Sequence, residues 1–205
     1  MCATRSTGTS KASASSARLA ALEQRLLRLE AESAIRACLR RYMDLCDHLD
    51  AHTSMDALAD CFTDDAAWSG KGSRYADRFG SHEGRDAILA MLGQYRGSLP
   101  GDAGACRPPH FALNAHFLCS ERIDHIDDER ARGHWVMLQT STFASGASHL
   151  NAAALSVELR RCDDQHWRIA RFETENLFGR PVSHWNSAEA LPVPPTLKPN
   201  RQELP

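Results

Sequence analysis

Three side chains able to carry protons or hydrogen bonds, His110, Asn114 and His116, sit at even-numbered positions of one short run, HFALNAHF. Alternate residues of an extended strand point to the same face. These three therefore stand together with Ala112, while Phe111, Leu113, Ala115 and Phe117 form an apolar opposite face. If the polar face is open, it simply meets water. If helices cover it, each group needs a partner or must line a wet cavity. A covered face would place two imidazoles, which exchange protons near neutral pH, in an enclosed space. His48 and His52 have the four-residue spacing of a helical metal pair, but they lack the His-Glu-x-x-His arrangement and sit where a helix is predicted to end. The seven cysteines (2, 38, 46, 61, 106, 119 and 162) contain no Cys-x-x-Cys pair and form an odd set. They read as reduced, packed thiols, and neither a disulfide framework nor a metal site is expected.

The segments that must position such a face follow from periodicity. From Ser16 to about Leu49, apolar residues recur at three- and four-residue steps (Leu19, Leu22, Leu26, Leu29, Ile35, Leu39, Tyr42, Leu45), which predicts a long amphipathic helix. Its first half suits either a helix-helix contact between subunits or packing along its own domain. Ser54 can cap a short second helix in MDALADCF, AAWSG reads as a first strand, and a third helix starts after Gly84 in RDAILAMLGQYRG. The polar stretch KGSRYADRFGSHE is read as a connection able to cover an opening. Alternation then predicts four strands, at about 110–124, 130–144, 149–162 and 165–178, separated by the turn sequences IDDE, SGAS and DDQ. Helices first and hairpins afterwards give an α+β domain with an antiparallel meander.

Composition bounds the partners. With 205 residues, 42% hydrophobic content, 24% charged content and a formal net charge of −2, the chain reads as one folded domain with no pull toward nucleic acid. No apolar run approaches a membrane span, and the N-terminus lacks the apolar centre of a secretory signal, so a cytoplasmic protein is expected. Residues 1–15 read as a disordered Ser/Ala-rich tail, 16–180 as the domain, and 181–205 as a Pro-rich extension.

Four blocks in order carry a resemblance to a known family. RRYMDLCDHLDAHTSMDALADCFTDDAAW resembles the opening of SnoaL-like proteins, EGRDAILAML their Gly-x-x-x-Ile helix, HFALNAHF their His-x-x-x-Asn strand, and DDQHWRIARFETE their last turn and strand; together they span about residues 33–176. The resemblance implies the nuclear transport factor 2-like, cystatin-like fold: a cone of strongly curved, mostly antiparallel sheet wrapped around N-terminal helices. It also implies a cavity for a small hydrophobic molecule, and homodimers or higher oligomers through the outer sheet face, where Phe111, Leu113 and Phe117 would lie. The fold serves isomerases, epoxide hydrolases, dehydratases, cyclases and binding modules alike, so function must come from the pocket.

The pattern is nearest to scytalone dehydratase-like and bile acid 7α-dehydratase-like members, in which a helical Tyr and Asp meet a strand His. Tyr42, Asp47 and His110 stand at the matching positions and are the expected catalytic set. An imidazole held by a carboxylate can abstract a C–H proton, and a phenol can hydrogen-bond a carbonyl or departing hydroxyl. The trio suits cofactor-independent dehydration or isomerisation of a ring-containing hydroxy or keto compound. The plainer alternative leaves His110 as a packed core histidine and Asp47 as a helix-terminal residue. Asp44 is too close to Tyr42 to share its helix face, and Asp50 suits the following turn. Arg171, Asn114, His116 and Trp68 are the expected substrate-binding residues. The duller role for Arg171 is a salt bridge to Glu173 or Glu158. A non-catalytic binding or accessory module is the rival function.

Overall fold

The structure, a computed structural model, describes residues 8–98, 107–183 and 185. Residues 1–7 of the expected tail, and all of the Pro-rich extension beyond 185, lie outside the described residues. The elements run α1 (Gly8–Asp47), α2 (Met55–Ala59), β1 (Phe62–Lys71), α3 (Gly72–Phe79), β2 (Ser81–Glu83), α4 (Arg85–Gly93), β3 (Phe111–His125), β4 (Arg130–Phe143), β5 (Ser148–Arg161) and β6 (Trp167–Val182). They form one open six-stranded sheet in the order β2-β1-β6-β5-β4-β3. Only the β1–β6 pair is parallel; every other neighbour is antiparallel. This is the α+β architecture that the order of periodicities predicts.

Helix α1 begins at Gly8, inside the segment expected to be a tail, and its halves do different work. Residues 13–30 are exposed throughout, whereas Ile35, Leu39, Tyr42 and Met43 are buried. The second half therefore packs on one face of the sheet, against β3 and β6. Ser54 caps α2 as expected, its hydroxyl accepting the Ala57 N–H at 3.1 Å. Ile88, Met91 and Leu92 of α4 join Phe62, Leu155, Val157, Leu159, Trp167, Ile169 and Phe172 in one core.

The stretch read as a polar connection folds into α3 and β2 instead. Tyr75 and Phe79, one helical turn apart, drive this: their rings meet at 4.9 Å, and Phe79 sits edge-on to Trp68 at 5.6 Å. Gly70 makes the approach possible, because a Cβ there would come within 2.2 Å of the Tyr75 carbonyl oxygen.

The long strands follow the predicted alternation until β-bulges reverse it. Each bulge adds one unpaired residue, and every side chain beyond it changes face. On β3 the register shifts between Phe111 and Leu113, so Phe111 faces inward while Leu113 and Phe117 are exposed on the outer face. On β6, Leu159 pairs with Ile169 but Glu158 with Arg171, which leaves Ala170 as the extra residue. Trp167 and Ile169 face the core before it; Phe172 and Thr174 do so after it. Leu39, on the face of α1 that packs against the domain, is fully buried. Leu39→Ala is expected to lower unfolding free energy by roughly 2–5 kcal/mol in urea denaturation, with the urea dependence unchanged.

Candidate functional site

Between α1, α3, α4 and the inner face of the sheet lies a cavity of about 570 Å³, within the size range of small-molecule sites. Asp47, the last residue of α1, points its carboxylate at β3. Its Oδ1 accepts from His116 Nδ1 at 2.6 Å, and its Oδ2 accepts from the His116 backbone N–H at 3.1 Å. A carboxylate only accepts, so Nδ1 must carry the proton and Nε2 is left as the basic nitrogen. His116 lines the cavity, and its side chain is 11% exposed against 16% for Asp47.

His110, expected to be Asp47's partner, is not. It precedes β3, held by its own N–H donating to the Tyr95 carbonyl at 3.0 Å and by its carbonyl accepting from the Ala144 N–H at 3.0 Å. Its ring packs edge-on against Tyr95, Phe111 and Phe143. It lines the cavity, but burial and the nearby Arg78 charge hold its pKa below the usual histidine value. The imidazole that meets Asp47 is six residues further along, at His116, which has the expected even-numbered parity and lies within β3.

Tyr42 and Trp68 stand together in the wall. The Trp68 indole N–H donates to the Tyr42 hydroxyl at 3.1 Å, and Trp68 stacks on Phe172 at 5.7 Å. Burial raises the Tyr42 pKa well above the phenolic value, so the group stays a proton donor. Burial likewise pushes the Cys46 thiol up to about 12, which removes it as a nucleophile at neutral pH. Arg171, expected to face the pocket, is exposed on the far side of β6. The Ala170 bulge put it there, and the Glu158 carboxylate forms its salt bridge with Arg132, although Arg171 is its neighbour in strand register.

Asn114 does reach the wall. Its Nδ2 donates to the Cys46 carbonyl at 3.3 Å, while its Oδ1 accepts from Gln139 at 2.8 Å and Ser141 at 2.9 Å. The chain of amides continues: Asn151 donates to Tyr75 Oη at 2.6 Å and to Gln139 Oε1 at 3.4 Å, and Asn176 donates to Asn151 Oδ1 at 2.6 Å. Arg74 Nη1 closes the row on Asn176 Oδ1 at 3.0 Å. Gln139, Asn151, Asn176, Tyr75 and Arg74 were missed by the sequence reading. A usable signal was there: Asn151 stands directly before the alanine run 152–154 inside a strand, and a polar residue at an inward position needs partners. Among the described residues, no three His, Cys, Asp or Glu side chains converge as a metal site. His48 is spent on the Asp44 carbonyl at 2.9 Å. No helix among the described residues is long and apolar enough to cross a membrane.

The SnoaL-like domain family model matches residues 27–173, most of the chain. The chain belongs to the SnoaL-like family. No curated protein matches the sequence. Solved structures with the same fold include a hexachlorocyclohexane dehydrochlorinase from Novosphingobium barchaimii, at TM-score 0.58 and 20% identity over 83% of this chain and 99% of the other. A candidate scytalone dehydratase from Novosphingobium aromaticivorans aligns at TM-score 0.57 and 17% identity, over 82% and 97%. An NTF2-like protein with a cystatin-like fold from the same organism aligns at TM-score 0.55 and 24% identity, over 76% and 88%. At these identities the SnoaL-like domain shares their fold, and its chemistry has to be read from its own residues.

His110 and His149 both have depressed pKa values, first through burial and then through Arg78. The unfolded chain therefore binds more protons than the SnoaL-like domain does below about pH 6.5, and stability should decrease as pH falls through that value toward the lowered folded pKa values. Histidine NMR titration checks this: both imidazoles should titrate below 6.5 and move upward together in Arg78→Gln.

Proposed function

We propose that the chain is a cofactor-independent lyase or isomerase in which His116 Nε2 is the general base and Asp47 holds the imidazole in the productive tautomer. The observation that carries this reading is the double contact of the Asp47 carboxylate with the Nδ1–H and backbone N–H of a cavity-lining histidine. An acid behind a ring nitrogen, with the opposite nitrogen toward an enclosed space, is the arrangement that proton abstraction requires.

In this reading, Nε2 takes a proton from a carbon of the bound molecule. The electron pair then forms a double bond and either expels a hydroxyl from the neighbouring carbon or moves charge onto a carbonyl oxygen. Tyr42, kept protonated by burial and polarised by the Trp68 N–H at its oxygen, is the donor suited to meet that oxygen. The apolar wall of Met43, Leu92, Met137, Phe143 and Phe172 suits a ring-containing, largely apolar substrate. Elimination across a ring also fits two of the fold's neighbours, the dehydrochlorinase and the candidate dehydratase.

His116→Ala and Asp47→Asn are expected to reduce turnover of a confirmed substrate by about 10²- to 10⁴-fold while the fold persists by circular dichroism. In Asp47→Asn the amide puts a donor where the carboxylate accepted, so one of its two bonds to His116 is lost. His110→Ala should cost far less, because that ring has no acid behind it. Full activity in folded His116→Ala, or an unchanged ligand recovered after prolonged incubation with the wild type, would leave a binding module as the better account.

A further inference from the structure

The charge around the cavity is one-sided. Among the described residues that line it there is no aspartate or glutamate, yet there are three arginines (74, 78 and 180) and three histidines (110, 116 and 149). Asp47 stands behind His116 and is not part of the lining. The three arginines are exposed, which places them at the rim, while His116 is nearly enclosed. Arg74 is engaged with Asn176. The side chains of Arg78 and Arg180 form no hydrogen bond or salt bridge among the described residues, although ion pairs hold many of the protein's other arginines. Arg78 is felt inside: after burial, its charge is the second cause of the lowered pKa values of His110 and His149, and it opposes the burial that raises Tyr95, all around the same opening. The buried His149 Nδ1 also lacks a protein partner among the described residues.

We infer that the cavity takes an apolar small molecule bearing a carboxylate, with Arg78 and Arg180 receiving the carboxylate at the rim and the ring system lying inward toward His116. Guanidinium groups without acidic partners present paired donors that match a carboxylate, at a mouth whose low-polarity walls strengthen the attraction. The inference rests on the cavity being the substrate site and adds the ligand's charge. Charge preference is read by binding and catalysis by turnover, so either can fail alone.

The probes are 2-naphthoate and its neutral counterpart 2-naphthalenemethanol, titrated by calorimetry at low and at physiological salt. Wild-type protein should bind the carboxylate about tenfold more tightly, the scale of one charge-assisted bond pair, and added salt should weaken that probe alone. Arg78→Gln with Arg180→Gln should erase the difference while binding of the alcohol stays unchanged; Arg132→Gln, outside the cavity, should leave it intact. Equal affinity for both probes, no binding of either at millimolar concentration, or a preference that survives the double substitution would overturn the inference.

A separate observation concerns α1. Leu19, Leu22, Leu26 and Leu29 are exposed, and at 3.6 residues per turn their stripe lies roughly 160° around the helix from Ile35, Leu39 and Tyr42, which pack on the domain. The stripe cannot fold back onto its own sheet. With the leucines at a and d, Arg18 and Arg25 occupy g and Glu23 and Glu30 occupy e. A parallel second copy would set each arginine against a glutamate, whereas an antiparallel one would oppose like charges. We propose that this segment pairs in parallel with a second copy of the chain. Sedimentation of the full chain at micromolar concentration should show a dimer, lost in Glu23→Arg with Glu30→Arg and restored when Arg18→Glu and Arg25→Glu are added. A monomeric wild type, or a dimer indifferent to these charges, would overturn it.

Discussion

The Asp47 carboxylate is the contact on which the site depends. It sits at the C-terminal end of a helix, where the aligned peptide dipoles already disfavour negative charge. Both oxygens are compensated by donors from one residue of β3, the ring and the main-chain N–H of His116. The contact joins the helix end to the strand, sets the imidazole's tautomer and fixes which nitrogen faces the cavity. A helix ending one residue earlier, or a strand slipped by one, would remove all three at once.

Around that contact the inner wall is held by amides. Asn114, Gln139, Asn151 and Asn176 come from four successive strands, and each carbonyl oxygen or NH₂ that the row uses is engaged by a neighbour. The row begins at the Cys46 carbonyl beside Asp47 and ends at Arg74 on α3. Buried carboxamides with unmet groups would be costly, so the row orients itself and holds two helices against the sheet. The cavity is therefore apolar where a ring would lie and polar along one defined band, a combination that fixes orientation as well as affinity.

Much of this was legible in the residues. Alternation located all four long strands within a few positions, the Ser54 cap and the Gly84 start placed α2 and α4, and the family resemblance singled out Tyr42, which lines the cavity, and Asp47, which stands behind its wall. What escaped had a common physical origin. The polar row of β3 was visible, but choosing between His110 and His116 needed the helix end's position in space, which no periodicity encodes. Arg171 was misplaced because parity was carried past Ala170, and a bulge leaves no compositional mark there. Helix α3 was hidden by its charged and glycine residues, although the Tyr75–Phe79 spacing was the clue. The arginine rim escaped because its members come from α3 and from the far end of β6, more than a hundred residues apart.

The Ala170 bulge also bears on how such pockets diversify. One extra residue decides whether the series Arg171, Glu173, Glu175 or the series Phe172, Thr174, Asn176 forms the inner wall. Removing one codon just beyond the bulge, with the bulge kept, would exchange an aromatic, amide-bearing surface for an ionic one, whereas removing Ala170 itself would straighten the strand and leave the wall as it is. A scaffold with such a hinge in its register can change what it accommodates through indels as readily as through substitution, and relatives aligned column by column across this point would appear to differ in chemistry when they differ only in phase.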